Sequence, residues 1–247
     1  MCERGARSTR AGRGGVLRRS LRARLFAWSL AHAADAQEAL YAARKRALFA
    51  NLAAPPADGP PRTVVEIGAG AGPNARYLAP GTRWVIVEPN AWFHPHLRRA
   101  AERWGLVLDL RHGRAEALPA ETGGADAVVS TLVLCSVEDV GAALAEVRRV
   151  LRPGGRFVFV EHVAAPPGTA LRAAQRALRR PWGWVADGCR PDRETGRRIR
   201  AAGFADVQIE TFTAPLGLAA PHVAGVATAG DHPARAPARK PGGGAGV

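Results

Sequence analysis

The chain has 247 residues, 47% apolar and 23% charged, with a formal net charge of +14 and three cysteines. That length suits one domain with a good core and extra residues at the ends. No apolar run reaches the ~18 residues of a membrane span, no convincing secretory leader is seen, and the widely spaced Cys2, Cys135 and Cys189 suggest neither a CxxC pair nor a disulfide framework, so a cytoplasmic location is expected.

The charge resembles a nucleic-acid signal, but its distribution argues otherwise. Residues 1–24 hold eight arginines and one acid for +7, residues 232–247 hold +3, and residues 25–231 keep only +4. Residues 1–15, rich in Arg, Gly and Ser without periodicity, read as disordered. Residues 16–52 read as helical in two stretches. In the first, Leu17, Leu21, Leu25 and Trp28 recur at helical spacing among arginines; the second covers 36–52. The arginine-rich segment at 16–30 suits a packed helix, a lid over a site, or peripheral contact with an anionic membrane. The Pro-rich stretch 53–61 is a linker.

From residue 62 to 229 strands and helices alternate. Strands are expected at 63–68, 83–89, 106–113, 125–134, 156–163 and 206–214, with a last one at 222–229. Helices are expected after the first strand from Pro73 and at 93–105, 137–155 and 194–204, the third ending on Pro-Gly-Gly. Val- and Ile-rich strands alternating with helices predict an α/β fold, with a mostly parallel sheet covered by helices on both faces. The tail 232–247 reads as disordered.

The turn after the first strand reads "EIGAGAGPN". A dinucleotide fingerprint needs a third glycine at position 73, which is Pro73, and no P-loop lysine follows. An NAD-dependent oxidoreductase is therefore disfavoured. The pattern Glu66-x-Gly68-x-Gly70-x-Gly72 resembles the first motif of class I S-adenosylmethionine (SAM) methyltransferases. Glycines there let the backbone approach a ligand at positive φ. Glu88, 20 residues after Gly68, ends the second strand where an acid can accept hydrogen bonds from ribose hydroxyls. The segment 113–119 resembles the one beside the adenine, which places Ala115 and Glu116 there. The segment 130–137, with Thr131 and Leu132, resembles the one beneath the ligand.

Later motifs narrow the resemblance. "TLVLCSV", "EVRRVLRPGGRFVFVEHVA", "DGC", "APL" and "PH" occur in an order similar to that of the methyltransferase-like seven family of alkyl-thiol methyltransferases, over roughly residues 36–228. That resemblance implies a Rossmann-like class I methyltransferase fold with a seven-stranded sheet, SAM as cofactor, and methyl transfer to a small thiol. The chain departs from the family in an arginine-rich segment where a hydrophobic anchor is usual and in Glu88 where Asp is usual. The acceptor stays open between a thiol and a phenol, quinol or lipid methylated on O, N or C. A thiol with a reference pKa near ~8.5 needs help to ionise at neutral pH, and His162 and Asp187 are the candidate catalytic groups, with Cys189 and His222 behind them. Cys135 reads as a buried small residue. No metal site is expected, since His94 and His96 have no evident partners. A third reading, an RNA-binding protein with a non-catalytic Rossmann-like domain, rests on the arginine-rich end alone. That end lacks interleaved aromatics, so no specific nucleic acid is expected.

Overall fold

A computed structural model describes residues 11–231, with side chains from residue 21 onward. It begins with one long helix, α1 (Ala11–Leu48), followed by the single turn α2 (Ala50–Ala53). The two separate helical stretches expected from the sequence are one. The residues between them, "AHAAD", are mostly alanine, the best helix former, and hold no breaker. The helix also covers positions 11–15 of the segment read as disordered; residues 1–10 and the tail 232–247 lie outside the described residues.

The strands β1 (Thr63–Ile67), β2 (Arg83–Val87), β3 (Val107–Arg111), β4 (Ala125–Thr131), β5 (Leu151–His162), β6 (Asp206–Thr213) and β7 (Pro221–Thr228) form one sheet in the order β3-β2-β1-β4-β5-β7-β6. Every pairing from β3 across to β5 is parallel, and β7 runs antiparallel to both its neighbours. The order reverses between β1 and β4. In an open α/β sheet that reversal opens a crevice at the carboxyl ends of the strands.

Alternate residues of each inner strand feed two cores. Val65, Ile67, Val85, Val128 and Phe157 face α4 (Val140–Val150) and α7 (Thr195–Arg200). Val64, Trp84, Ile86, Val129 and Val158 face α3 (His94–Trp104), Leu52 of α2 and the middle of α1. Asp139 caps α4 by accepting from the N–H groups of Gly141 and Ala142, and Gly105, at φ +64°, ends α3.

Three local expectations differ. The helix expected from Pro73 is one 3-10 turn, Pro73–Tyr77, because the chain is extended again at Leu78 and reaches Pro80. The Pro-Gly-Gly stop lies inside β5 rather than at a helix end. The strand starts at Leu151 and bulges through these residues, with Gly154 at φ +70°. Two helices, α5 (Ala170–Ala177) and α6 (Arg179–Val185), lie outside the helices expected from the sequence. Pro181 fits α6 because it falls in the first turn, where backbone N–H groups have no helical partner.

Candidate functional site

A cleft of about 740 Å³ lies at the β1/β4 reversal. Glu66, Gly68, Gly70, Glu88, Ala115, Glu116, Thr131, Leu132, His162 and Asp187 all line it. Gly72 does not. A Cβ there would meet Trp84, Ala100 and Leu97 at 3.1–3.2 Å, so this glycine lets the turn pack on α3 rather than letting a ligand approach. Gly68 (φ +60°) and Gly70 (φ +54°) do present backbone to the cleft. A Cβ on Gly68 would lie 2.8 Å from Val133, so the β1 and β4 loops touch only because no side chain stands there.

The carboxylates divide the work. Glu88 ends β2 and is 5% exposed. Its Oε2 accepts from the Gly70 N–H at 3.1 Å and its Oε1 from the Asn90 N–H at 2.8 Å, which aims it into the cleft with lone pairs to spare. Burial raises its pKa above the usual carboxylate range. Glu66 is bound differently. Its oxygens accept from Asn74 Nδ2 at 2.8 Å and Trp84 Nε1 at 2.7 Å, and burial pushes its pKa up to about 7. Asn74 also donates to Thr131 Oγ1 at 3.1 Å, while its own Oδ1 is buried without a partner. That oxygen can accept from an ammonium group, and Glu66 holds the Asn74 side chain from behind. Glu116 Oε1 accepts from the N–H groups of Glu138 and Asp139 at 2.7 and 3.2 Å, tying the β3 loop to the start of α4.

Leu132 sits at φ +59°, rare for a branched apolar residue and worth about 1–3 kcal/mol of strain. Glu161 holds the loop around it. Its carboxylate accepts from Ser130 Oγ at 2.6 Å and from the N–H groups of Val133 and Leu134 at 3.2 and 3.1 Å. The strained turn presents Leu132 to the crevice.

From the other side, α1 lays Leu30, Ala34, Glu38, Tyr41 and Lys45 along the cleft. Lys45 and Glu38 form an ion pair in which both side chains are under 5% exposed, and burial lowers the Lys45 pKa. Tyr41 hydroxyl pairs with His222 Nε2 at 2.9 Å.

The cleft is also lined by sulfur and imidazole. His162 Nε2 lies 3.1 Å from Cys189 Sγ, which also accepts from Trp182 Nε1 at 3.1 Å. The Arg190 N–H donates to Cys135 O at 3.0 Å, which sets Cys189 beside Cys135. The Cys135 thiol, then the His162 ring and the Trp182 indole, hold Cys189 down to about 5, while Cys189 and burial push Cys135 up. Asp187, in contrast, sits at the rim with Arg22 3.0 Å away in a half-exposed ion pair. It lines the cleft with its carboxylate engaged by Arg22. His222 is engaged by Tyr41 and by Ala220 O, and burial lowers its pKa.

The residues suit SAM. An acid at the end of β2 matches a ribose diol, a backbone cradle matches a ligand without phosphate, and the unpartnered Asn74 Oδ1 matches an ammonium group. The sequence alone pointed to neither Asn74 nor Glu161. Asn74 follows Pro73 in the turn and Glu161 precedes His162, but their value depends on partners from other strands. Lys45 and Glu38 read only as helix residues, and Cys135 as a filler.

A family model described as a methyltransferase domain matches residues 65–159. Human thiol S-methyltransferase TMT1A is 35% identical over 197 residues, covering 75% of this chain and 78% of that protein. Rat thiol S-methyltransferase TMT1B is 36% identical over 190 residues, covering 74% and 78%. Among solved structures, geranyl diphosphate C-methyltransferase from Streptomyces coelicolor, in complex with S-adenosyl-L-homocysteine, superposes with a TM-score of 0.58 at 18% identity, covering 77% of this chain and 80% of that one. At that identity the likeness concerns the fold.

Proposed function

The chain belongs to the thiol S-methyltransferase family of SAM-dependent methyltransferases, and on that premise we propose that its acceptor is the sulfur of a small apolar thiol. SAM supplies an already activated methyl group for in-line displacement. What the protein adds is placement of two reactants, an effect worth several kcal/mol when reacting atoms are held in line. Glu88 would accept from the ribose hydroxyls, the Gly68–Gly70 backbone would cradle the cofactor, and Ala115 and Glu116 would border its adenine. Thr131 fixes Asn74, which takes the amino group. Leu132 forms the apolar floor.

One observation carries the thiol reading. The cleft already holds polar groups on a sulfur: the Trp182 indole N–H donates to Cys189 Sγ, and the His162 ring lies 3.1 Å from the same atom. Surroundings that favour one thiolate favour another entering beside it. His162 therefore orients and stabilises sulfur there, and Asp187 serves the rim.

Trp182 and Leu216 add apolar wall to the cleft. A series of straight-chain thiols tests this. Each added methylene that enters contributes about 0.8 kcal/mol, so kcat/KM should climb about threefold to fourfold per carbon until the cleft is full. A flat series, or higher turnover of phenols than of thiols, would overturn the reading.

The same rim supports peripheral contact with anionic membrane. No helix among the described residues is long and apolar enough to cross a membrane. Yet Leu21, Leu25 and Trp28 of α1 and Trp184 and Val185 of α6 are 57–71% exposed, and the Arg22–Asp187 pair joins the two elements. Apolar side chains with arginines around them suit a lipid surface from which a lipophilic thiol can enter. Flotation with phosphatidylserine vesicles should retain the protein, and Trp28→Ser with Trp184→Ser should release it. Wild-type protein left at the bottom of the gradient would remove this part of the proposal.

A further inference from the structure

The sulfur-rich end of the cleft has a geometry that hydrogen bonding alone does not require. Cys135 Sγ, His162 and Cys189 Sγ come from three separate elements: the loop after β4, the last residue of β5, and the turn after α6. Their ligand-capable atoms all lie within 4.8 Å of one another. All three residues are under 10% exposed, and all three face the cleft. Nothing in their sequence spacing suggests a metal motif, yet the fold collects two thiols and an imidazole around one point. It does so by devices already described: the Arg190 N–H on Cys135 O, and the Glu161-pinned loop that begins at Leu132.

We propose that these three residues form a Cys2His site for a thiophilic divalent cation of the Zn2+ class, with the fourth coordination position open to the cleft. The inference rests on the thiol-acceptor reading above and gives it a chemical means. Zn–S and Zn–N bonds of about 2.3 and 2.0 Å put tetrahedral ligand atoms roughly 3.5–3.8 Å apart. The observed separations bracket that range: His162 Nε2 and Cys189 Sγ stand 3.1 Å apart, and no ligand pair exceeds 4.8 Å. Side-chain rotations of under about 1 Å close the tetrahedron. The Trp182 N–H on Cys189 Sγ is the outer hydrogen bond that tunes a ligating thiolate. Three protein ligands with a vacant fourth position is the pattern of catalytic rather than structural zinc sites.

The step balances without a redox partner. An incoming thiol, RSH, binds the cation through sulfur and gives its proton to water in the cleft mouth. The metal-bound thiolate then attacks the methyl carbon of SAM with a sulfur lone pair. The S–CH3 bond forms as the bond from that carbon to the sulfonium breaks, and the electron pair stays on the departing sulfur. The thioether RSCH3, a weak ligand, leaves. No free thiolate has to be drawn from the few per cent present near neutral pH.

The test uses the full chain. Metal content is measured on protein purified without chelator, then Co2+ is added to the metal-free form and read by absorption, with S-adenosylhomocysteine binding as a fold control. The expected result is one Zn2+ per chain and a thiolate-to-Co2+ charge-transfer band that shifts when 2-mercaptoethanol is added. Cys135→Ser and Cys189→Ser should each weaken that band or abolish it, and His162→Ala should weaken Co2+ affinity at least tenfold. Absence of the band in a protein that binds S-adenosylhomocysteine normally overturns the proposal. So does a band that persists unchanged in both serine variants, or a Cys135–Cys189 disulfide with no metal uptake. The thiol reading has a separate readout. Undiminished thiol methylation by chelator-treated enzyme sinks the metal and spares the acceptor. A correctly metallated enzyme that ignores thiols spares the metal and sinks the acceptor.

Discussion

Replacing Glu88 by alanine tests the proposed ribose contact. The side chain is 5% exposed and already accepts one backbone N–H on each oxygen, from Gly70 and Asn90. Each oxygen has lone pairs left, and these face the cleft. Hydrogen bonds to a charged acceptor contribute about 1.5–3 kcal/mol each, so two ribose hydroxyls give about 3 kcal/mol at the low end, or roughly a 100-fold rise in Kd. The Gly70 N–H also loses its partner, which loosens the turn and adds to the loss. Glu88→Gln keeps one carbonyl acceptor and should fall between, near tenfold. Glu88→Asp keeps the charge and should stay closer to wild type. Calorimetric titration with S-adenosylhomocysteine reads all three, with thermal unfolding confirming that each variant folds. Because burial raises the Glu88 pKa, wild-type affinity should fall as pH drops, starting above the usual carboxylate range. Alanine-variant affinity within threefold of wild type would refute the placement of the ribose.

Two further outcomes follow from the site. Glu66 titrates near pH 7 in the fold, against 4.5 for the free side chain, because burial favours its neutral form. The neutral form stabilises the fold fully below pH 4.5, and that contribution is lost as pH rises through about 7, by at most about 3 kcal/mol. Glu66→Gln should remove this slope, so that urea unfolding at pH 5 and pH 8 differs less in the variant than in wild type; equal losses in both would contradict the account. Asp187→Asn removes a half-exposed ion pair with Arg22, worth under about 1 kcal/mol, at a backbone position of φ +47° that asparagine tolerates. Turnover should stay within threefold, and a loss of 100-fold would mark Asp187 as a base.

Much of this architecture was legible because strand burial is written in residue type. Runs such as "VVEI" and "WVIV" are apolar on both faces, as a covered parallel sheet requires. That Gly68, Gly70 and Glu88 border a cleft was legible because a tight turn after a strand restricts both φ and side-chain size. Other features depend on partners far along the chain. Gly72 carries the same φ sign as its neighbours, yet it faces α3, which only the packed turn reveals. The unbroken α1 was hidden because "AHAAD" between its two patterned stretches carries no large apolar residue. The 3-10 turn at Pro73–Tyr77 differs from a helix by one hydrogen-bond register. Asn74, Glu161 and the Cys135–His162–Cys189 cluster acquire meaning only when β1, β4, β5 and the turn after α6 meet at one end of the sheet.

The central claim is that the methyl group goes to sulfur. One measurement addresses it: SAM carrying a labelled methyl group is incubated with the enzyme and an equimolar mixture of an alkyl thiol, a phenol and a quinol, and the labelled products are separated. The account predicts label in the methyl thioether, loss of that product with Glu88→Ala, and a stoichiometric yield of S-adenosylhomocysteine. Label in an ether or on a ring carbon, with none in the thioether, would contradict it.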